Sequence, residues 1–285
     1  MRKLKVFISI LIITFFLAGL FLKSGNISAQ NDSYQAQFNN SYSNYRTKYE
    51  DYLKAHDKYT LSKRQYEQYN TLSSKEELQK DTADMLKKRD GVLILYYQTL
   101  VYRLKDSSID IPDEKRDEYV TKLEAEINWL QEHMSSYQAN AEPQVLADRS
   151  LESGDRYEDF ISEIYRSLYY ISRGKLIAYN ARFNYLFNEL YALSEKIKVE
   201  QREAYKLSDN KIEIIDRWFG EINKKNEDFT SLLDKAETQI AQGKGKAVAL
   251  SYTFSMKTLN EAMGLLIEEI ANSVEITNQI KIAEN

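Results

Sequence analysis

The chain has 285 residues with two prolines, nine glycines and no cysteine. That composition excludes disulfides, thiolate catalysis, zinc–cysteine centres and a lipid-modified N-terminal cysteine, and so few turn residues exclude an all-β fold of this size. Net charge is −4, and outside the first 29 residues 35 basic side chains face 43 acidic ones, a net of −8 that argues against nucleic acid or anionic lipid as a partner of the body.

Residues 1–29 have the three-part layout of an export segment. Arg2, Lys3 and Lys5 precede the uncharged run Val6–Leu22, and a short polar stretch ends in Ile27-Ser28-Ala29. Two readings stand. One is a signal peptide cut between Ala29 and Gln30. The other is an uncut N-terminal membrane anchor, since 17 residues span about 25 Å, the short limit for a bilayer. In either case the basic start places Gln30–Asn285 on the extracytoplasmic side. The run is the only route to a membrane that the sequence offers.

Six helices are predicted after it, from apolar residues spaced three and four apart. The first covers 33–70. Its seam is Phe38, Tyr42, Tyr45, Tyr49, Tyr52, His56, Tyr59, Lys63 and Tyr66, almost all aromatic. The second covers 74–106, opened by a capping pattern at Ser74 and Glu77, with Leu86, Leu93, Tyr97, Leu100 and Leu104 as its seam and Asp90 in phase with them. The third covers 113–139 and carries Val120, Leu123, Ile127, Leu130, Met134 and Tyr137. Asn140–Gln144, with Pro143, reads as a linker and domain boundary.

The fourth helix covers 155–206. Ile161, Ile164, Leu168 and Ile171 set one phase, and Leu176, Tyr179, Phe183, Leu186, Leu190, Leu193 and Ile197 set another. The slip at Arg173-Gly174 reads as a kink or a widening of the buried face. The fifth covers 209–242, with Ile212, Ile215, Phe219, Ile222, Asn226, Phe229, Leu233, Ala236 and Ile240. Gly243-Lys244-Gly245-Lys246 follows a helix rather than a strand and reads as a turn, not a phosphate loop. The sixth covers 247–282, with Tyr252, Met256, Leu259, Met263, Leu266, Ile270, Ser273, Thr277 and Ile280. The expected fold is all-α: an elongated antiparallel helical bundle of coiled-coil-like hairpins, divided into a Tyr-rich three-helix array (30–142) and a second array (143–285).

Few residues invite chemistry. The histidines are His56 and His133, and neither has a glutamate three residues earlier, so the pattern of a carboxylate-bridged metal pair is missing twice. Asp90 on an apolar face needs a cationic partner, for which Arg103, Arg173 and Arg182 are candidates. No catalytic, metal or cofactor-binding residue is proposed. The Tyr stripe reads as core packing. The alternative is an interaction face made of Phe38, Tyr42, Tyr45, Tyr49, Tyr52, His56, Tyr59 and Tyr66, because each ring is a flat apolar body with a polar tip.

These residues predict a non-enzymatic extracytoplasmic structural or protein-interaction protein, secreted or attached to the envelope, with a protein or glycan partner. The alternative is a membrane-anchored sensor or adaptor module of a larger assembly. The helical seams can equally be satisfied between copies, so a homo-oligomer is a further expectation.

Overall fold

The computed structural model describes residues 29–200 and 207–281. The predicted export segment, Val6–Leu22 included, lies outside them. Among the described residues, no helix is long and apolar enough to cross a membrane.

The fold is all-α. Among the described residues six α-helices follow one another: α1 (Ala29–Tyr69), α2 (Leu72–Lys105), α3 (Asp113–Ser135), α4 (Pro143–Glu200), α5 (Asp209–Gln242) and α6 (Val248–Lys281), with a 3₁₀ turn at Gly245–Ala247 between the last two. The turn from α1 to α2 is tight. Asn70 takes a left-handed conformation, φ 48°, which asparagine tolerates well. Thr71 then caps α2: its hydroxyl accepts from the Ser74 amide at 3.2 Å, and the Ser74 hydroxyl accepts from the Thr71 amide at 3.1 Å. The capping box thus sits three residues ahead of the expected one, with Ser74 as its third helical residue rather than its cap. Pro143, read as linker, is the first residue of α4, where its missing N–H costs nothing.

Paired side chains fix the directions. Ser41 meets Thr99 and Tyr45 meets Tyr96, so α1 and α2 are antiparallel. Glu126 pairs with Arg156, and Lys122 with Glu163, so α3 runs antiparallel to the first part of α4. Further along α4, Tyr170 bonds Glu237 and Phe187 packs on Phe219, so α5 is antiparallel to its later part. α5 and α6 form the last hairpin, in which Ser255 donates to the Ala236 carbonyl. α4, at 58 residues, is therefore shared: α1, α2 and α3 gather at its beginning, α5 and α6 along its end. One buried apolar core runs through both groups.

α4 is continuous through Gly174. A Cβ there would stand 2.7 Å from the Asp110 carbonyl oxygen and 2.8 Å from Ile109. The glycine lets the α2–α3 loop rest on the helix, and the Asp110 amide donates to the Gly174 carbonyl.

Three predicted seams hold at alternate positions, with Tyr45 and Tyr52, Leu176 and Phe183, and Tyr252, Leu259 and Leu266 buried as expected, and are displaced by a residue at the positions between. On α1 the buried line is Ser41, Tyr45, Tyr52, Ala55 and Ser62, with Tyr42, Tyr49 and Tyr59 half-buried at its flank and Lys63 exposed. On α4, Phe187 and Ser194 are buried where Leu186 and Leu193 were expected. On α6, Ser255, Ala262, Glu269 and Ile276 are buried, whereas Ile270 is exposed. A helix has two flanks beside any seam, and its neighbours decide which one is covered. α5 covers the flank of α6 that carries Ser255 and Glu269.

Candidate functional site

The densest polar cluster surrounds Asp90, midway along α2. Its carboxylate is sealed from solvent. Arg89 Nε donates to Oδ1 at 2.9 Å and Ser153 Oγ at 3.4 Å. Tyr137 donates its hydroxyl proton to Oδ2 at 2.7 Å, and His133 Nδ1 approaches the same oxygen at 3.3 Å. Arg89 extends the network, reaching the Ser150 hydroxyl at 2.9 Å and the Tyr137 oxygen at 3.1 Å. Together these bonds tie α2, α3 with its following turn, and α4 at one point.

The electrostatics follow from that geometry. Burial presses the Asp90 carboxyl upward, but the His133 bond, the Arg89 charge and the Tyr137 bond outweigh it and hold it below the ordinary carboxylate range. The Tyr137 hydroxyl is pushed above its usual value by burial and by the Asp90 charge. His133 stacks on Trp129 at 4.5 Å between centroids, and its Nε2 stands 3.5 Å from Glu152 Oε2. The Arg156 guanidinium lies over the same Trp129 ring, 4.5 Å from its centroid.

The sequence placed Asp90 on the buried face and gave it a cation, but chose the wrong one. Its partner is adjacent Arg89, aided by His133. Arg103 and Arg173 pair elsewhere, with Asp106 at 2.8 Å and Glu237 at 3.1 Å. Adjacent residues on a helix point about 100° apart, so sequence spacing disfavours such a pair. The long guanidinium stem curls back to make it. Tyr137 was read as a seam residue but not as a donor to Asp90, and Ser150 and Ser153 were missed because nothing in their local spacing distinguishes them from ordinary polar positions.

A second cluster lies where α1, α2 and α4 meet. Arg103 donates to Gln35 and Asp106, each at 2.8 Å, and sits 4.7 Å over the Phe38 ring. Asp106 also accepts from the Ser108 amide and hydroxyl. Burial, with the Arg103 charge added and the Asp106 charge opposing, lowers Lys175 to about 7.

Comparison with family models, with curated proteins and with solved structures finds no match. The site's chemistry therefore rests on its own geometry.

The predicted aromatic face is a ladder on α1. Phe38, Tyr42, Tyr45, Tyr49, Tyr52, His56 and Tyr59 follow one another with centroids 6.1–6.3 Å apart. Tyr45 and Tyr52 turn inward, and burial together with the neighbouring tyrosines pushes Tyr45 up to about 12. Tyr42, Tyr49, His56, Tyr59 and Tyr66 keep an edge at the surface. The structure thus divides the eight candidates between a core line and a half-exposed flank.

Chemically, the Asp90 cluster is closed. Its carboxylate oxygens are occupied by protein donors, and the Tyr137 side chain is as inaccessible as Asp90 itself. What the arrangement does is hold three helices together. Among the described residues, no group of three or more metal-ligating side chains converges.

Proposed function

We propose that this protein is a non-enzymatic, extracytoplasmic helical scaffold that meets a protein or glycan partner through the half-exposed aromatic flank of α1. The observation that carries the reading is the ladder itself. Tyr42 and Tyr49 are anchored by the inward rings of Tyr45 and Tyr52, and Tyr59 by the His56 ring, so they offer flat apolar edges and phenolic hydroxyls at little further entropic cost. The sealed Asp90 cluster supports a scaffold, since its ionisable groups serve helix–helix cohesion.

The export reading of residues 1–29 supports the extracytoplasmic setting, and the mass of the mature chain tests it. A chain beginning at Gln30 supports a secreted protein. A chain retaining Val6–Leu22 supports the second reading, an anchored sensor or adaptor, which the length of that uncharged run favours. The recognition face is tested by a double variant, Tyr42→Ser with Tyr49→Ser, measured against envelope glycans and extracytoplasmic proteins. At least tenfold weaker binding with an unchanged melting temperature is the expected outcome. Unchanged binding would remove the face from the proposal.

A further inference from the structure

The group formed by α5, α6 and the later part of α4 is pinned at one end and poorly paired toward the other. Near the α5–α6 turn, Ser255 donates to the Ala236 carbonyl at 3.0 Å and Thr258 to the Gln239 side chain at 2.9 Å. Arg166 and Tyr170 reach across from α4, to the Gly243 carbonyl at 3.1 Å and to the Glu237 carboxylate at 2.8 Å. Away from that turn the polar groups change character. Asn180 Oδ1 and Ser194 Oγ on α4, and Asn272 Nδ2 and both Glu269 carboxylate oxygens on α6, are buried without a hydrogen-bond partner. Each such atom has lost its water and gained no bond, so the closed state is least secure there.

Of these groups Glu269 alone can change its charge, and it is fully enclosed. Lys225 of α5 is the cation beside it, but Lys225 is ion-paired with Glu268, the exposed neighbour of Glu269 on α6. Glu221 of α5 also acts on Lys225. From α4, Asn180 meets Asn226 of α5 at 3.3 Å, with Tyr179 half-buried and Arg182 exposed beside it. Burial, opposed by the Lys225 charge, raises the Glu269 carboxyl to about 7. The neutral acid is tolerated in this position, whereas a carboxylate would have neither water nor a bonded partner.

We propose that Glu269 is a proton-operated latch on the α5–α6 hairpin, which holds the end away from the turn shut in acid and favours local opening of that end as pH rises past neutrality. Opening brings the carboxylate to water and uncovers Phe219, Ile222 and Ile276, all buried in the closed state. The bonds near the turn keep α5 and α6 together meanwhile. The closed state binds the proton more tightly than the opened one, whose carboxyl has the ordinary value of 4.5. Closure is therefore full below that value and is lost as pH rises to about 7. The latch goes beyond the proposed function and does not depend on the α1 face.

Amide hydrogen exchange of the full chain at pH 5 and pH 8, corrected for the intrinsic pH dependence of exchange, tests the latch. Residues 212–226 and 266–278 report the far end, and residues 232–242 and 249–259 the end beside the turn. The expected result is far-end protection at least about tenfold lower at pH 8 than at pH 5, and at pH 8 at least about tenfold lower than beside the turn. Glu269→Gln should abolish the pH dependence. Lys225→Met, which removes the opposing charge, should move its midpoint to higher pH. Far-end protection that does not change with pH overturns the proposal, and so does a pH dependence that survives Glu269→Gln. Equal protection of the two ends at pH 8 overturns it as well, because the chain then opens as a whole. Should Glu269→Gln lose helix content by circular dichroism, Lys225→Met decides: a midpoint unmoved or lowered overturns the latch.

Discussion

A carboxylate removed from water must be answered by its neighbours, and Asp90 is answered by donors from α2, α3, the turn after α3, and α4. Removing it leaves Arg89 charged and buried without its counter-ion. Asp90→Ala is therefore expected to cost about 3–5 kcal/mol in urea unfolding. The native carboxyl holds its proton less readily than the unfolded one, so the unfolded chain takes up more protons in acid. Its contribution is present above the ordinary value of 3.8 and is lost as pH falls through the lowered native value. Asp90→Asn should flatten the acid limb of the stability curve. Glu269 has the opposite sign. Both its oxygens are buried without a hydrogen-bond partner, and burial, opposed by the Lys225 charge, raises it to about 7. Here the native state holds its proton more tightly, so stability falls as pH rises from the ordinary 4.5 to about 7. Glu269→Gln should raise the melting temperature, more at pH 8 than at pH 5. An equal change at both would show that Glu269 does not ionise in this window.

At the scale of elements, glycine separates close approach from plain flexibility. Gly174 touches the α2–α3 loop, whereas nothing lies within 4 Å of a Cβ at Gly154 on the same helix. Gly174→Ala should destabilise by about 1–3 kcal/mol through overpacking. Gly154→Ala should stabilise by up to about 1 kcal/mol through helix propensity. Paired denaturant melts of the two variants check both signs at once. At the start of α2, Thr71→Ala should cost about 1 kcal/mol, since its hydroxyl answers the Ser74 amide. Helix identities were legible in the sequence, and five of the six helices begin or end within a few residues of the expected bounds at each terminus; α4 begins well ahead of its expected start because Pro143 opens it rather than closing a linker. The exact buried line was not legible. On α6 the rhythm Met256, Met263, Ile270 looked better than Ser255, Ala262, Glu269, and the latter is the line that α5 covers.

At the scale of the molecule, α4 sets the length. At about 1.5 Å per residue its 58 residues extend about 87 Å, well beyond the roughly 30 Å width of a small domain. Small-angle scattering should give a rod whose longest dimension is at least that value. The same helix carries core residues into both helix groups, from Phe160 against Tyr97 of α2 to Phe187 against Phe219 of α5. The two groups should therefore unfold in one transition. Two separate calorimetric transitions would instead support two independent arrays divided at residue 143. Mass measured with the scattering would show whether copies associate and so cover the exposed apolar side chains of α4 and α6.

The sequence by itself determined that the described residues are helical, how many rods they form and that Asp90 faces inward. Those properties follow from local spacing, turn chemistry and the cost of burying a bare charge, all of which act along the chain. Tertiary structure alone decided that Arg89, His133, Tyr137 and Ser153 meet around Asp90, that α4 serves both helix groups, and that Glu269 rather than Ile270 is enclosed. A helix offers several faces of similar apolarity, and only the neighbours that pack against it select which of them leaves water.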